Sequence, residues 1–267
     1  MTATDDHTET DGLLVEHRDH VAYLTLNRPH RHNALDSALK RDLVRCASDL
    51  AEDPEVRVVV LSGAGDRAFC VGADLKEIDQ TARAGRRLTT PMTGEARNVF
   101  EAVLEIPKPT IAAIDGYALA GGFELAMACD LRIATHGSVF GMPEAKIGMG
   151  ANFASVMLPR LVGPAVAYEL LYTAERFDAA RALDVGLLMR VVDSADLTAS
   201  VEALARGIAR NAPLSLFRYK QMVLRGMDLP VPAALRLNVG PNPYASADRE
   251  EGVRAFLEKR EASWQAR

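Results

Sequence analysis

The sequence predicts an α/β protein with a mainly helical C-terminal part, and two patterns carry that prediction. Apolar runs that close on glycine or aspartate, at 56–63 (VRVVVLSG) and 110–115 (TIAAID), are typical of strands buried on both faces. Before the first run, leucines recur near helical spacing after Asn33, taken as an N-cap, and between the two runs 94–106 places apolar residues on one helical face. Strands alternating with helices indicate an α/β architecture.

The remaining elements follow from similar signals. The segment 20–27 is rich in β-branched and aromatic residues and predicts a strand, whereas 78–93 shows no period and predicts a mobile loop. Glycines open a helix at 121, and further strands are expected at 131–134 and 138–141. A helix capped at both ends is expected over 178–186, followed by longer helices from 197.

These elements suggest a division of the chain into three parts. Residues 1–12 (MTATDDHTETDG) are polar and acidic and predict a flexible tail. Residues 13–195 would form the α/β core, and 196–267 a helical C-terminal subdomain. We expect this subdomain to self-associate through apolar side chains that a small subdomain cannot cover alone, namely Leu197, Val201, Leu204, Phe256 and Trp264.

Composition limits the possible functions. The formal net charge of −5 and the lack of a concentrated basic stretch argue against a nucleic-acid partner. The three cysteines, Cys46, Cys70 and Cys129, are odd in number and form no CxxC, so we expect neither a disulfide framework nor a metal site, and a cytoplasmic location. No stretch predicts a secretory signal or a membrane span.

Nucleotide and hydrolase motifs are weak or missing. The segment 63–68 (GAGDRA) fits a loose dinucleotide pattern, but a second glycine in FCVGAD breaks the helix that should follow. The sequence contains neither a P-loop nor a GxSxG nucleophile elbow.

The segment 115–130 (DGYALAGGFELAMACD) is the first candidate site. A helix that starts on Gly121 and Gly122 leaves free N–H groups that a ligand oxygen could approach, which is how an oxyanion hole is built. Glu124, one turn on, would border the same pocket. The alternative is that the glycines allow close helix packing and Glu124 interacts with the helix dipole.

Two further stretches strengthen the site hypothesis. In 69–77 (FCVGADLKE) the amide of Ala73 could donate from the opposite side. In 140–148 (FGMPEAKIG), Glu144 follows Pro143, although such an acid taken alone would also suit a surface turn.

Together these motifs resemble the enoyl-CoA hydratase/isomerase, or crotonase, family. LNRPHRHNALD is similar to its N-terminal motif, and GAGDRAFCVGADLKE, PKPTIAAIDGYALAGGFELAMACDLRIAT and FGMPEAKIG are similar to its central signature, in order and at family spacing. Later segments (LPRLVGPAVAYELLYTAERFDAARALDVGLLMRVV and SADREEGVRAFLEKR) match as well, so the resemblance covers nearly the whole chain.

The resemblance implies a ClpP/crotonase fold, a spiral of ββα units with a helical C-terminal part that builds trimers, often paired into hexamers. It implies an acyl-CoA substrate whose thioester oxygen lies between the N–H groups of Ala73 and Gly121. In family hydratases two glutamates add water across C2=C3. By motif position Glu124 would activate the water and Glu144 would protonate C2. No cofactor beyond the coenzyme A of the substrate is implied.

The resemblance also implies contacts with substrate. Residues expected to bind it lie in the N-terminal motif and around the glycines: Arg28, His30, Arg31, Ala34, Gly72, Asp74, Leu75, Lys76 and Gly122. The chain departs from the family at two places. It has His30 where the family usually has a lysine, and it has the loop GMGANFASVM where the family usually has a glycine-rich turn that holds the water. We expect Met149, Asn152 and Phe153 of that loop to shape the acyl pocket or the water site.

The predicted activity is therefore 2-enoyl-CoA hydration on an unidentified acyl chain. Another reaction of the same scaffold remains the alternative, either double-bond isomerisation or cleavage of a C–C or thioester bond. A non-catalytic or RNA-binding member of the family is a further alternative, against which the net charge counts.

Overall fold

The structure, a computed structural model, describes residues 8–10, 12–87, 91–93 and 95–267. Within them the strands form a seven-stranded sheet in the order β1-β2-β3-β4-β6-β8-β11 and a four-stranded sheet in the order β10-β9-β7-β5. The strands are β1 (Thr8–Thr10), β2 (Leu13–Arg18), β3 (Val21–Leu26), β4 (Val58–Gly63), β5 (Ala68–Cys70), β6 (Thr110–Ile114), β7 (Tyr117–Leu119), β8 (Leu131–Thr135), β9 (Val139–Gly141), β10 (Arg176–Asp178) and β11 (Arg190–Val192).

The α-helices surround these sheets and dominate the C-terminal part. They are α1 (Ser37–Glu52), α2 (Leu75–Arg83), α3 (Val99–Leu104), α4 (Gly121–Ala128), α5 (Asn152–Val162), α6 (Pro164–Thr173), α7 (Ala179–Asp184), α8 (Leu197–Ala209), α9 (Pro213–Gly226), α10 (Val231–Ala234) and α11 (Ala247–Glu258). No helix in the described residues is both long and apolar enough to cross a membrane.

The two sheets are built by a repeated strand–strand–helix unit. In each of three successive units the first strand (β4, β6, β8) enters the large sheet and the second (β5, β7, β9) enters the small sheet, before the chain turns into helix. Each set of three pairs in parallel within its own sheet. This is the predicted spiral of ββα units.

Strand β4 shows why an unbroken apolar run predicted a two-faced strand. Val59 and Leu61 point into the main core with helices α1, α3 and α4, whereas Val58 and Val60 point to the opposite face of the sheet. Both sets are buried because a second apolar layer, containing Leu197 and Val201 of α8, covers that outer face.

Helix α8 therefore corrects two expectations about the C-terminal part. The predicted boundary between residues 195 and 196 does not separate two cores, because α8 packs directly on the large sheet. Leu197 and Val201 are buried within the chain itself and are not available for self-association. Exposed apolar side chains lie further on, both in α9 with the segment after it and in α11, where they are Val253, Phe256 and Leu257.

Three local predictions also differ from the structure. Helix α1 is capped by Asp36, whose side chain accepts from the N–H of Leu39, whereas Asn33 lies in a left-handed conformation at φ 56° before the helix. Part of the predicted loop 78–93 belongs to α2. Of the predicted flexible tail, Thr8–Thr10 pair with β2 as β1, while residues 1–7 and 11 lie outside the described residues.

Candidate active site

Helix α4 begins in a tight turn that leaves its first amides open. Strand β7 ends at Leu119, and Ala120 takes φ 53° and ψ −132° while its N–H donates to the carbonyl of Gly141 at 2.9 Å. The N–H of Glu124 then donates to the carbonyl of Ala120 at 3.0 Å, which closes the first helical turn. No side chain caps this end of the helix. The amide of Gly121 is therefore available to a ligand.

The amides of Ala73 and Gly121 border one small space. A Cβ added to Gly121 would lie 3.8 Å from the nitrogen of Ala73, and a Cβ added to Gly72, at φ +87°, would lie 2.8 Å from the nitrogen of Gly121. Across the described part of the chain, neither the Ala73 nor the Gly121 N–H donates a hydrogen bond. Two unused donors with only glycines between them fit the geometry of an oxyanion hole.

Gly122 has a different role from its neighbour. A Cβ there would lie 2.0 Å from the carbonyl oxygen of Cys70, a backbone atom that cannot move aside. Gly122 thus allows α4 to pack against β5, and it is buried rather than placed in the cavity, which corrects its assignment as a substrate contact. Gly122 thus fits the packing interpretation, whereas Gly121 fits the interpretation as part of an oxyanion hole.

A cavity of about 200 Å³ opens in front of these amides and holds both candidate acids. Its wall is mostly apolar. The lining residues are Leu35, Lys40, Val71, Ala73, Leu75, Pro91, Asn98, Val99, Phe100, Ala120, Gly121, Glu124, Pro143, Glu144, Ile147, Met149 and Gly150. The contributions of α1 and α3 could not be predicted from motifs. Lys40 and Asn98 belong to no catalytic motif, and the spacing of Phe100 indicates only an apolar helical face.

Glu124 lies on the first turn of α4 and is 5 % exposed. Its Oε1 accepts from the N–H of Ala154 at 2.9 Å, at the start of α5, where no side chain caps the helix. Burial, assisted by the charge of Glu144, raises the pKa of Glu124 to about 7 against the opposing hydrogen bonds from the amides of Ala154 and Phe153. A carboxyl group with this pKa can exchange a proton near neutral pH.

Glu144 lies in a short 3-10 helix, Pro143–Ile147, and is 8 % exposed. Its Oε2 is buried and accepts no hydrogen bond from the described residues. Burial raises the pKa of Glu144, opposed by its own backbone N–H. A buried carboxyl oxygen without a donor costs folding free energy, and such groups concentrate where a ligand supplies the missing partner. The structure thus brings the two predicted acids together in one cavity.

Arg28 is held by the protein, in contrast to its predicted contact with substrate. Its guanidinium donates to the carbonyl of Ala34 and forms ion pairs with Asp36 at 2.9 Å and Asp74 at 3.1 Å. Asp74 in turn caps α2. Burial opposes ionisation of Asp74, but the bonds from Arg28 and from the amides of Lys76 and Glu77 outweigh it and lower its pKa. Arg28, Ala34 and Asp74 fix the loop before α1 to the start of α2.

Other predicted substrate contacts remain open to solvent. His30 and Lys76 are exposed, and Arg31 is partly buried. None of the three forms an ion pair or a side-chain hydrogen bond with the residues that the structure describes. Leu75 is exposed and lines the cavity. Of these four residues, Leu75 alone is part of the cavity wall that the described residues form.

The loop before α5 contributes to the cavity through Met149 and Gly150 rather than through all three predicted residues. Phe153 is buried in the core, where its ring packs 5.5 Å from that of Phe100. Asn152 opens α5, and neither it nor Phe153 lines the cavity. The ring of Phe153 therefore lies behind Phe100 and not in the cavity wall, which corrects its predicted place, although its backbone amide supports Glu124.

Known proteins share this fold over nearly their full length. The Thauera aromatica (E)-benzylidenesuccinyl-CoA hydratase is 36 % identical over 93 % of this chain and 96 % of its own. The Clostridium acetobutylicum short-chain-enoyl-CoA hydratase is 34 % identical over 94 % and 97 %. The crystal structure of a Bacillus anthracis enoyl-CoA hydratase superposes with a TM-score of 0.85 at 32 % identity, covering 96 % of this chain and all of the other.

The sequence model described as Enoyl-CoA hydratase/isomerase matches residues 16–267, which include both carboxyl groups, both open amides and the helices that enclose them. The chain belongs to the enoyl-CoA hydratase/isomerase family.

Proposed function

We propose that the protein is a 2-enoyl-CoA hydratase, which adds water across the C2=C3 bond of an acyl-CoA thioester. One observation carries the proposal: the buried carboxyl groups of Glu124 and Glu144 share a cavity with the open N–H groups of Ala73 and Gly121. Addition of water to a double bond needs a base for the water, an acid for the carbon and a site for the charge that develops between these steps.

The thioester oxygen would accept from both open amides. As the oxygen of the water attacks C3, the electrons of the double bond move toward the carbonyl group. Negative charge then accumulates on the thioester oxygen. Donors already in place stabilise this charge without reorganisation, and removing one such donor typically costs about 2.7–4 kcal/mol of transition-state stabilisation.

The two glutamates would divide the proton transfers. Glu124, ionised, takes a proton from the water whose oxygen bonds to C3. Glu144, protonated, donates to C2 of the enolate, which restores the thioester carbonyl. The product is a 3-hydroxyacyl-CoA, and a proton passing back through solvent resets the pair. Burial raises the pKa of both carboxyl groups, which favours the protonated form of each and supports a division in which one of the pair carries a proton.

The coenzyme A portion would extend toward the entrance of the cavity. Its phosphate oxygens would bind His30, Arg31 and Lys76, which offer positive or hydrogen-bonding groups open to solvent and have no side-chain partner among the described residues. Coenzyme A is part of the substrate in this proposal, and no separate cofactor is required. The net charge of −5 does not support an RNA-binding role.

Isomerisation of a double bond is the second candidate, because the family description includes isomerases and Glu144 alone could move a proton between two carbons. The named substrates of the relatives also differ, so family membership leaves the acyl group open. Incubation with a panel of unsaturated acyl-CoAs, with products identified by mass, separates the reactions. Hydration adds one water, whereas isomerisation leaves the mass unchanged.

We also propose that the protein self-associates through α11, as a trimer or a pair of trimers. Phe256 is 82 % exposed in the single chain and lies beside the exposed side chains of Val253 and Leu257. A contiguous apolar surface of this kind marks an interface. The three free cysteines support a reducing compartment, the cytoplasm.

A further inference from the structure

Lys40 places a positive charge in the wall of the cavity. It lies in the first turn of α1, which begins shortly after Leu35, and Leu35 forms a parallel bridge with Ala73. Side chains on an α-helix lean toward its N-terminus, so the stem of Lys40 runs back toward this bridge. Lys40 and Ala73 accordingly line the same cavity.

The ammonium group of Lys40 has no partner among the described residues. Its side chain is partly buried, yet it forms no ion pair or hydrogen bond with any of them. It lowers the pKa of the Cys70 thiol, which burial nonetheless raises to about 12. No ion pair joins Lys40 to Glu124, which accepts from Ala154, or to Glu144, whose Oε2 has no partner among the described residues.

Asn98 adds an oriented donor to the same cavity. Its Oδ1 accepts from the N–H of Phe100, and its backbone N–H donates to Glu101, so a capping box fixes the residue at the start of α3. The side-chain oxygen is thus bonded to the helix, and the NH₂ group has no acceptor among the described residues. Most of the surrounding wall is apolar, including Leu35, Val71 and Val99.

We propose that Lys40 and Asn98 recognise a carboxylate on the acyl group, so that the preferred substrates are 2-enoyl-CoA thioesters of dicarboxylic acids. This inference rests on the proposed function and names its substrate class. A purely hydrocarbon acyl chain would leave a partly buried ammonium without a counter-charge, whereas a carboxylate would pair with it and accept from the Asn98 amide.

A phosphate oxygen of coenzyme A offers the same chemistry as a carboxylate, and the two sources predict different results. If Lys40 binds phosphate, its loss weakens every acyl-CoA equally. If it binds an acyl carboxylate, its loss affects only thioesters that carry one. A hydrogen bond to a charged group is worth enough for about a 10- to 100-fold difference in affinity.

The test measures binding of unreactive saturated thioesters by calorimetry, using glutaryl-CoA, which carries a terminal carboxylate, and valeryl-CoA, which does not. We expect wild type to prefer glutaryl-CoA by at least about 10-fold. Lys40→Met keeps the length of the stem and should abolish the preference while leaving valeryl-CoA binding unchanged. Asn98→Asp keeps the cap of α3 but replaces the donor with a negative oxygen, and should also reduce the preference.

Arg41→Met is the matched control, because Arg41 is an exposed cation on the same helix and does not line the cavity. It should retain the preference for glutaryl-CoA. Equal weakening of both thioesters by Lys40→Met would assign Lys40 to phosphate, and no preference in wild type would also overturn the proposal. The assay needs no turnover, so a protein that shows the preference but hydrates nothing would refute the proposed reaction while the carboxylate site stands.

Discussion

Replacing Gly121 with alanine separates the proposed oxyanion hole from the packing of α4. The added methyl carbon would lie 3.3 Å from Cζ of Phe100, 3.5 Å from Cα of Gly72 and 3.8 Å from the nitrogen of Ala73. The tightest of these contacts is with the end of a side chain, which can move by a few tenths of an ångström. The methyl group instead occupies space beside the two donors, where a thioester oxygen would have to lie within about 2.7–3.1 Å of each.

The expected cost falls on catalysis rather than on folding. Displacing the oxygen from one donor removes about 2.7–4 kcal/mol of transition-state stabilisation, which lowers kcat about 10²- to 10³-fold. In folding, the helix preference of alanine over glycine, up to about 1 kcal/mol, offsets the contact with Phe100. The melting temperature should therefore stay within about 4 °C of wild type, since 1 kcal/mol corresponds to about 2–4 °C in a protein of this size.

The assay is the rate of crotonyl-CoA hydration, followed by loss of absorbance of the conjugated thioester, with a thermal melt of each variant. Gly122→Ala is the comparison, because its methyl group would collide with the carbonyl of Cys70 at 2.0 Å and should destabilise or prevent folding. Near wild-type turnover in a folded Gly121→Ala protein would refute the assignment of this amide to the oxyanion hole.

Other predictions test the acids, the pocket wall and the interface. Glu144→Gln should lower turnover at least about 10²-fold with little change in the melt, because it removes the group that protonates C2; near wild-type turnover would remove this residue from the mechanism. Burial raises the pKa of Glu124 from the ordinary 4.5 to about 7 in the folded protein. The folded state therefore holds this proton more tightly than the unfolded state, and the free energy of unfolding falls as the pH rises from 4.5 through 7. Denaturant unfolding of wild type should therefore lose on the order of 3 kcal/mol relative to Glu124→Gln between pH 4 and 8, and parallel pH curves would contradict this. Met149→Ala should shift kcat/KM toward longer acyl chains at little cost in stability, whereas Phe153→Ala should cost about 3–5 kcal/mol of folding free energy, and the reverse pattern would place Phe153 in the pocket wall. Phe256→Glu should reduce the mass measured by light scattering, and a wild-type monomer at micromolar concentration would exclude the proposed interface.

Patterns governed by local periodicity predicted the fold well. The run around β4 indicated burial on both faces, and the structure covers one face with the main core and the other with α8. Caps were less predictable, because Asn33 and Asp36 are both suitable cap residues three positions apart. The side chain of Asn33 is instead used across the chain, where its amide donates to the carbonyls of Ala64 and Ala68.

The candidate site shows the limit of motif reasoning. Motif order suggested that Glu124 and Glu144 meet, and the cavity contains both. The state of Arg28 could not be predicted, because its ion pair with Asp74 joins residues 46 positions apart in sequence. Nor does any local pattern distinguish Lys40, which lines the cavity, from the exposed Arg41 beside it. Contacts between residues far apart in sequence determine whether a cationic side chain forms an internal ion pair, is exposed to solvent or lines a cavity.

Addition of water to a 2-enoyl-CoA, with Glu124 as base and Glu144 as acid, can be followed by the oxygen atom itself. Mass analysis would identify the products formed from a panel of 2-enoyl-CoAs, with and without a second carboxylate, in water enriched in heavy oxygen. We expect wild type to form a 3-hydroxyacyl-CoA that carries one heavy oxygen, and Glu124→Gln and Glu144→Gln to form much less of it. Hydration of no member of the panel by wild type, or labelled product from both variants at the wild-type rate, would contradict this mechanism.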